Sequence, residues 1–155
     1  MEQVVNKLIE LNKTIATMES CTGGGCASEI TNVEGSSAIL KFSAITYSNE
    51  FKIKMGVSEE TIEKYSVYSL EVAKEMSKQI SLFANSNYGI GITGKLNRQD
   101  INNLYGEDNR VFISIYDKDN DKYHTLSIDV DKETRKENKK LVIDIITDTL
   151  IALLN

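Results

Sequence analysis

The order of elements written into this sequence predicts an α/β fold of three layers, α/β/α, around a mixed sheet that includes a C-terminal antiparallel hairpin. Three observations lead there. Stretches with helical and with strand patterning interleave along the chain instead of segregating into separate halves. Residues 111–116 and 123–130 alternate like the two arms of a hairpin, which makes at least that part of the sheet antiparallel. A length of 155 residues, 41% of them hydrophobic and 26% charged, suits one domain, 1–155, with a single core, and argues against disorder.

Taken in order, Val4, Val5, Leu8, Ile9 and Leu11 repeat with helical spacing, so residues 2–12 are expected as an amphipathic helix. Residues 14–18 read as a short buried strand. Glu19-Ser20-Cys21-Thr22-Gly23-Gly24-Gly25 interrupts it with a Gly-rich turn, after which 26–31 has a helical pattern. Residues 37–48 are β-branched, aromatic and small, which predicts one or two strands broken near Phe42-Ser43. Ser58 opens a short helix with Glu59 and Glu60 in its first turn, where acids meet the positive end of the helix dipole. Ser69 caps a longer helix whose Val72, Met76, Ile80 and Phe83 are spaced for one buried face. A buried strand over 87–93 stops at Gly94, and 95–109 is polar and irregular, a loop length that in a compact domain is often functional. Asp117-Lys118-Asp119-Asn120-Asp121 supplies the turn of the hairpin, and Asp131 or Thr134 opens a last helix ending near Leu154.

The absences exclude several function classes. With a single histidine, His124, no zinc site built from a His pair and no HExxH peptidase is available, and no metal is implied. Proline is missing altogether, where average usage would give roughly eight. Eighteen basic against 23 acidic residues, a net charge of −5, argue against a nucleic-acid partner. Cys21 and Cys26 suit neither a CxxC redox pair nor a disulfide framework and read as reduced thiols. No basic start with an apolar run opens the chain and no stretch approaches 18 apolar residues, so a cytoplasmic protein with no membrane partner is expected.

The strongest local signal for chemistry is the segment from Glu19 to Gly25. A strand that delivers Ser20 onto a turn opening a helix exposes the hydroxyl and aims free backbone N–H groups, near Thr22 and Gly23, at whatever it attacks. The plainer alternative is a Gly-rich connection with Ser20 or Thr22 as the helix cap, and no Gly-Lys-Ser/Thr follows to make a phosphate loop. A serine nucleophile needs a base. His124, between Tyr123 and Thr125, has the pattern of a surface strand histidine, which leaves a lysine whose pKa is lowered by burial or by a neighbouring cation. By local pattern Tyr47 is a strand-end tyrosine over the core and Lys52 a solvated surface lysine.

Four segments, Glu19-Ser20-Cys21-Thr22-Gly23-Gly24, Thr46-Tyr47-Ser48-Asn49-Glu50-Phe51-Lys52-Ile53-Lys54, Ser69 with Val72-Ala73 and Met76, and Gly91-Ile92-Thr93-Gly94, resemble the CinA C-terminal domain family. The resemblance spans nearly the whole chain and is that of a divergent stand-alone member. Characterised members are nicotinamide-nucleotide amidohydrolases, which convert nicotinamide mononucleotide (NMN) to nicotinate mononucleotide and ammonia. The resemblance implies Ser20 as nucleophile, Lys52 as its general base and Tyr47 as an assisting residue. It further implies substrate binding by Thr22, Gly23, Gly24, Asn49, Thr93, Gly94 and Arg135, a small-molecule nucleotide as partner, no cofactor, and a homodimer as the expected assembly.

The chain also departs from that pattern. Relatives continue after the Thr-Gly with Ala-Gly-Pro, a Gly-Gly pair and Lys-Pro-Val-Gly, whereas here Lys95 through Arg110 replaces the whole Gly/Pro loop, which alters the wall of the pocket. Tyr65-Ser66 stands where His-Gly is frequent, and Lys139 where a second arginine is common. Three readings follow: an amidohydrolase acting on NMN, the same chemistry on another small amide, and a nucleotide-binding or regulatory relative without turnover.

Overall fold

The computed structural model describes residues 1–155. In chain order the elements are α1 (Glu2–Glu10), β1 (Ile15–Glu19), α2 (Gly25–Thr31), a 3-10 turn (Ser36–Ala38), β2 (Leu40–Ile45), α3 (Asn49–Lys54), α4 (Glu59–Tyr65), α5 (Leu70–Ala84), β3 (Tyr88–Gly94), β4 (Arg110–Asp117), β5 (Lys122–Asp129) and α6 (Arg135–Leu154). The five strands form one sheet in the order β2-β1-β3-β4-β5. β1 runs parallel to β2 and β3, while β3, β4 and β5 are successively antiparallel, so the sheet is mixed and the C-terminal hairpin is present.

Every residue of β1 and β3 is buried, as central strands covered on both faces must be. Alternation divides their side chains between two cores. Ile15, Ile90 and Ile92 join Val4, Leu8, Ile30, Val142, Ile146 and Leu150 beneath α1, α2 and α6. Ala16 and Met18 pack with Val72, Met76 and Ile80 of α5 on the opposite face. Gly89 and Gly91 lie on that second face, and a Cβ on either would collide with backbone of α5 at Ser77 or Ala73, so the missing side chains let the helix approach the sheet.

The single strand β2 is not broken at Phe42-Ser43. Its irregularity comes one residue earlier: Ile15 pairs with Leu40 and Ala16 with Phe42, which leaves Lys41 as a bulge on the edge strand. Phe83 is 66% exposed and meets Phe42 of that edge strand, ring centroids 5.2 Å apart, because an edge closes only one side of the ring. Residues 49–54 form a short helix, α3, which the sequence pattern does not announce. Ser48 caps it by accepting from the Phe51 N–H at 3.3 Å. Thr134, with Glu137 completing a capping box, opens α6.

Ser66, at the position where glycine is frequent in the resembled family, ends α4 with φ at 72° and ψ at 155°. That backbone region strongly favours glycine and costs a residue with a Cβ of order 1 kcal/mol or more. The turn it makes is tied down nevertheless: the Ser69 hydroxyl donates to the Ser66 carbonyl at 2.8 Å, and the Thr93 hydroxyl to the Val67 carbonyl at 3.0 Å. Tyr68 is thereby set at the C-terminal end of the sheet, beside the end of β1.

Candidate active site

Strand β1 ends at Glu19, and the next N–H, of Ser20, still donates to Ile92 of β3 at 3.0 Å. Ser20 is thus held in register one residue beyond its strand. Gly23 (φ 61°) and Gly24 (φ 93°) then take left-handed conformations that turn the chain into α2 within a few residues. From a segment 32 positions later, α3 sends Lys52 inward, where it is only 2% exposed. Its Nζ lies 3.1 Å from Ser20 Oγ and donates to the Thr46 carbonyl at 2.8 Å.

Burial pulls the Lys52 ammonium down to about 8, against the opposing pull of Cys21 and of Asp100. Near neutral pH a part of the Lys52 population is therefore a neutral amine, able to take a proton from Ser20 Oγ. Neighbouring Cys21 shows the opposite consequence of the same environment: burial pushes its thiol up to about 12, so it stays protonated and unreactive.

Glu19, one residue before Ser20, has no exposed surface. Its carboxylate accepts from the Thr22 hydroxyl at 2.6 Å, from the Cys26 and Ala27 N–H groups at 3.0 and 2.9 Å, from the Gly24 N–H at 3.2 Å, and from Thr17. The first N–H groups of α2 are thereby occupied. The Gly23 N–H is occupied too, by the Ser20 carbonyl at 2.9 Å. The N–H groups of Cys21 and Thr22 have no acceptor within the chain, so the donors beside Ser20 lie one residue earlier than the turn pattern suggests.

A cavity of about 480 Å³ opens over Ser20. Of the sequence-derived candidates, Ser20, Tyr47, Asn49, Gly94 and Arg135 line it, and Lys52 stands behind Ser20. Thr22, Gly23, Gly24 and Thr93 lie off its wall, because the two hydroxyls are committed to Glu19 and to Val67 and the glycines shape the turn. Tyr47 is not over the core: it is 64% exposed at the rim, and the Arg135 guanidinium donates to its hydroxyl at 3.3 Å. Arg135 itself is set by the α6 cap and by Asn138, whose side chain bridges the N–H and carbonyl of Lys132.

The loop over 95–109 supplies much of the remaining wall, including Lys95, Asp100 and Asn103, none of them picked out by the sequence as a candidate. Leu96, 1% exposed, roots the loop in the core, and Lys95 pairs with Asp108 at 3.1 Å. Asn49 of α3 donates to Asn103 at 3.1 Å, joining the loop to the helix that carries Lys52. The missing signal was pairing across distance. A polar loop shows its composition in the sequence, but not which of its polar groups face a cavity.

The CinA C-terminal domain family matches residues 1–152. Proteins named as competence-damage inducible from Clostridium botulinum (strain ATCC 19397 / Type A) and Thermoanaerobacter sp. (strain X514) are 50% and 45% identical over 94 and 96 residues, which is 60% and 61% of this chain. The match covers 23% of those relatives' own length. The fold is that of a competence-damaged protein (CinA) superfamily protein from Klebsiella pneumoniae 700603, with a TM-score of 0.89, 23% identity, and 99% of this chain and 94% of that one covered. A competence/damage inducible protein from Agrobacterium tumefaciens gives 0.86 and 25%, covering 99% and 95%. No helix is long and apolar enough to cross a membrane.

Proposed function

The chain belongs to the CinA C-terminal domain family, and on that premise we propose that it is a cytoplasmic amidohydrolase of the Ser/Lys type that converts NMN to nicotinate mononucleotide and ammonia. The observation that carries this reading is the buried Lys52 amine 3.1 Å from Ser20 Oγ at the base of a cavity of nucleotide size. In the proposed reaction neutral Lys52 takes the Ser20 proton while Oγ bonds to the carboxamide carbon. The Cys21 N–H, on a residue of the cavity wall and without an acceptor in the chain, is the donor assigned to the developing oxyanion. Protonated Lys52 then gives its proton to the departing nitrogen as the C–N bond breaks, releasing ammonia and leaving an ester on Ser20. Water, deprotonated by Lys52, hydrolyses that ester to the carboxylate and regenerates both side chains. Arg135 at the cavity rim suits a 5′-phosphate, with Tyr47 holding the guanidinium in place.

A second reading, the same chemistry on a different small amide, is favoured by one feature: the wall formed by 95–109 carries charged groups where the family has glycine and proline. Incubating the purified protein with NMN and measuring ammonia tests the first reading, with Ser20→Ala as control. Release from the parent protein and none from the variant supports it. Release only from other carboxamides transfers the chemistry to the second reading, and binding of NMN with no release from any amide overturns both in favour of a regulatory relative.

A further inference from the structure

We propose that Asp100 makes this cavity selective for a carboxamide carried on a cationic ring, as in an N-ribosylated pyridinium, over the same amide on a neutral ring. The inference rests on the amidase reading of the site and assigns it a specificity residue from the chain's own divergent loop.

Asp100 lines the same cavity as Ser20 and Arg135. Its carboxylate is held by neutral donors: the Tyr68 hydroxyl in a short contact, the Asn103 side-chain amide at 3.1 Å and the Asn102 N–H at 2.9 Å. No lysine or arginine pairs with it. The lysine adjacent in the wall, Lys95, is bound to Asp108 at 3.1 Å and lies over the Tyr68 ring, 5.1 Å from its centroid. Lys52 is directed to Ser20 and Thr46 instead. Burial opposes ionisation of the Asp100 carboxyl, yet the donors from Tyr68, Asn102 and Asn103, with a smaller contribution from the Lys95 charge, hold it below the usual carboxylate range. At neutral pH the cavity therefore presents an anion that is hydrogen-bonded and forms no ion pair, with Lys95 and Lys52 acting on it only through space.

Its position is set as well as its charge. Asn103 donates to Asp100 and in turn accepts from Asn49, so one hydrogen-bonded chain links the carboxylate to α3, the helix of Lys52. Arg135 and Arg98 line the same cavity and carry the opposite sign. The cavity thus carries both signs of charge. A pyridinium nucleotide also carries both signs, with a cationic ring beside its amide and an anionic phosphate remote from it. A neutral ring adds no cation beside Asp100 in a site from which bound ligand excludes water, which is where charge complementarity discriminates most.

Titration calorimetry in a Ser20→Ala background tests this without turnover, using NMN and its reduced dihydronicotinamide form, whose ring is neutral. The expected preference for NMN is about tenfold, equivalent to about 1.4 kcal/mol. It is expected to fall to near unity on adding Asp100→Asn and to persist on adding Tyr68→Phe, which removes a hydrogen bond but keeps the charge. Equal affinity for the two forms, a preference that survives Asp100→Asn, or its equal loss in Tyr68→Phe overturns the inference. If NMN binds without any ring-charge preference, only the inference falls; if neither form binds, the amidase reading of NMN falls with it.

Discussion

Replacing Lys52 by methionine is expected to stabilise the folded protein at neutral pH, and the gain should shrink as the pH rises. Burial lowers the Lys52 pKa from 10.5 to about 8. Below 8 the lysine is charged in both folded and unfolded chains, so the fold bears the full cost of burying an ammonium. Between 8 and 10.5 the unfolded chain binds more protons than the folded one, so stability rises with pH across that window, and the cost is relieved above it. The linkage relation puts this cost at about 3 kcal/mol at pH 7 and about 1 kcal/mol at pH 10. Methionine has a similar unbranched shape and no charge, but it gives up two hydrogen bonds, to Ser20 and Thr46, together worth about 2 kcal/mol net. The variant should therefore be about 1 kcal/mol more stable than the parent at pH 7 and about 1 kcal/mol less stable at pH 10. Urea denaturation followed by circular dichroism at both pH values measures the difference, and titrating groups that do not interact with Lys52 cancel between the two proteins. A variant less stable at pH 7, or a difference that does not change with pH, would refute the assignment of Lys52 as a buried, depressed base. The same substitution should abolish ammonia release, so that stability and activity move in opposite directions.

On the parent protein, kcat/KM for NMN should rise about tenfold per pH unit below about 8 and level off above it, since neutral Lys52 is the active form; a flat profile from pH 6 to 9 would exclude that role. Glu19→Ala strips the acceptor from three backbone N–H groups and two hydroxyls and should cost about 2–4 kcal/mol in urea melts, a loss under about 1 kcal/mol showing that the bonds carry little. Ser66→Gly relieves the positive φ at the end of α4 and should raise stability by about 1 kcal/mol, whereas destabilisation would show the turn to be unstrained. Arg135→Ala should raise KM for NMN by about tenfold or more while leaving the phosphate-free riboside unaffected, and equal losses on both substrates would remove the phosphate from its role.

Much of the fold is legible in the residues because local patterns carry it. The apolar spacing of Val4, Val5 and Leu8, the Ser69 and Thr134 caps and the alternation along 111–116 and 123–130 each agree with the element that forms. Where the pattern misleads, a tertiary neighbour accounts for it. Phe83 has the phase of a core residue, but an edge strand stands opposite it. The helix Asn49–Lys54 is only six residues long, too short for periodicity to register, although Ser48 caps it.

Order along the chain, the serine at a strand-to-helix turn, the shortage of histidine and the divergence of 95–109 were all determined by the amino acids themselves. The meeting of Ser20 with Lys52 was decided by tertiary structure, because the two lie 32 positions apart and only the parallel pairing of β1 with β2 brings the start of α3 over the end of β1. Burial of the lysine, and so its lowered pKa, follows from that meeting and from no property of residues 49–54 alone. The same holds for Asp100: composition records a carboxylate in a polar loop, but folding places it in the cavity among neutral donors while Lys95 is taken by Asp108. Charge on a side chain is a property of sequence, whereas the partner that a charge is denied depends on which segments the fold packs together.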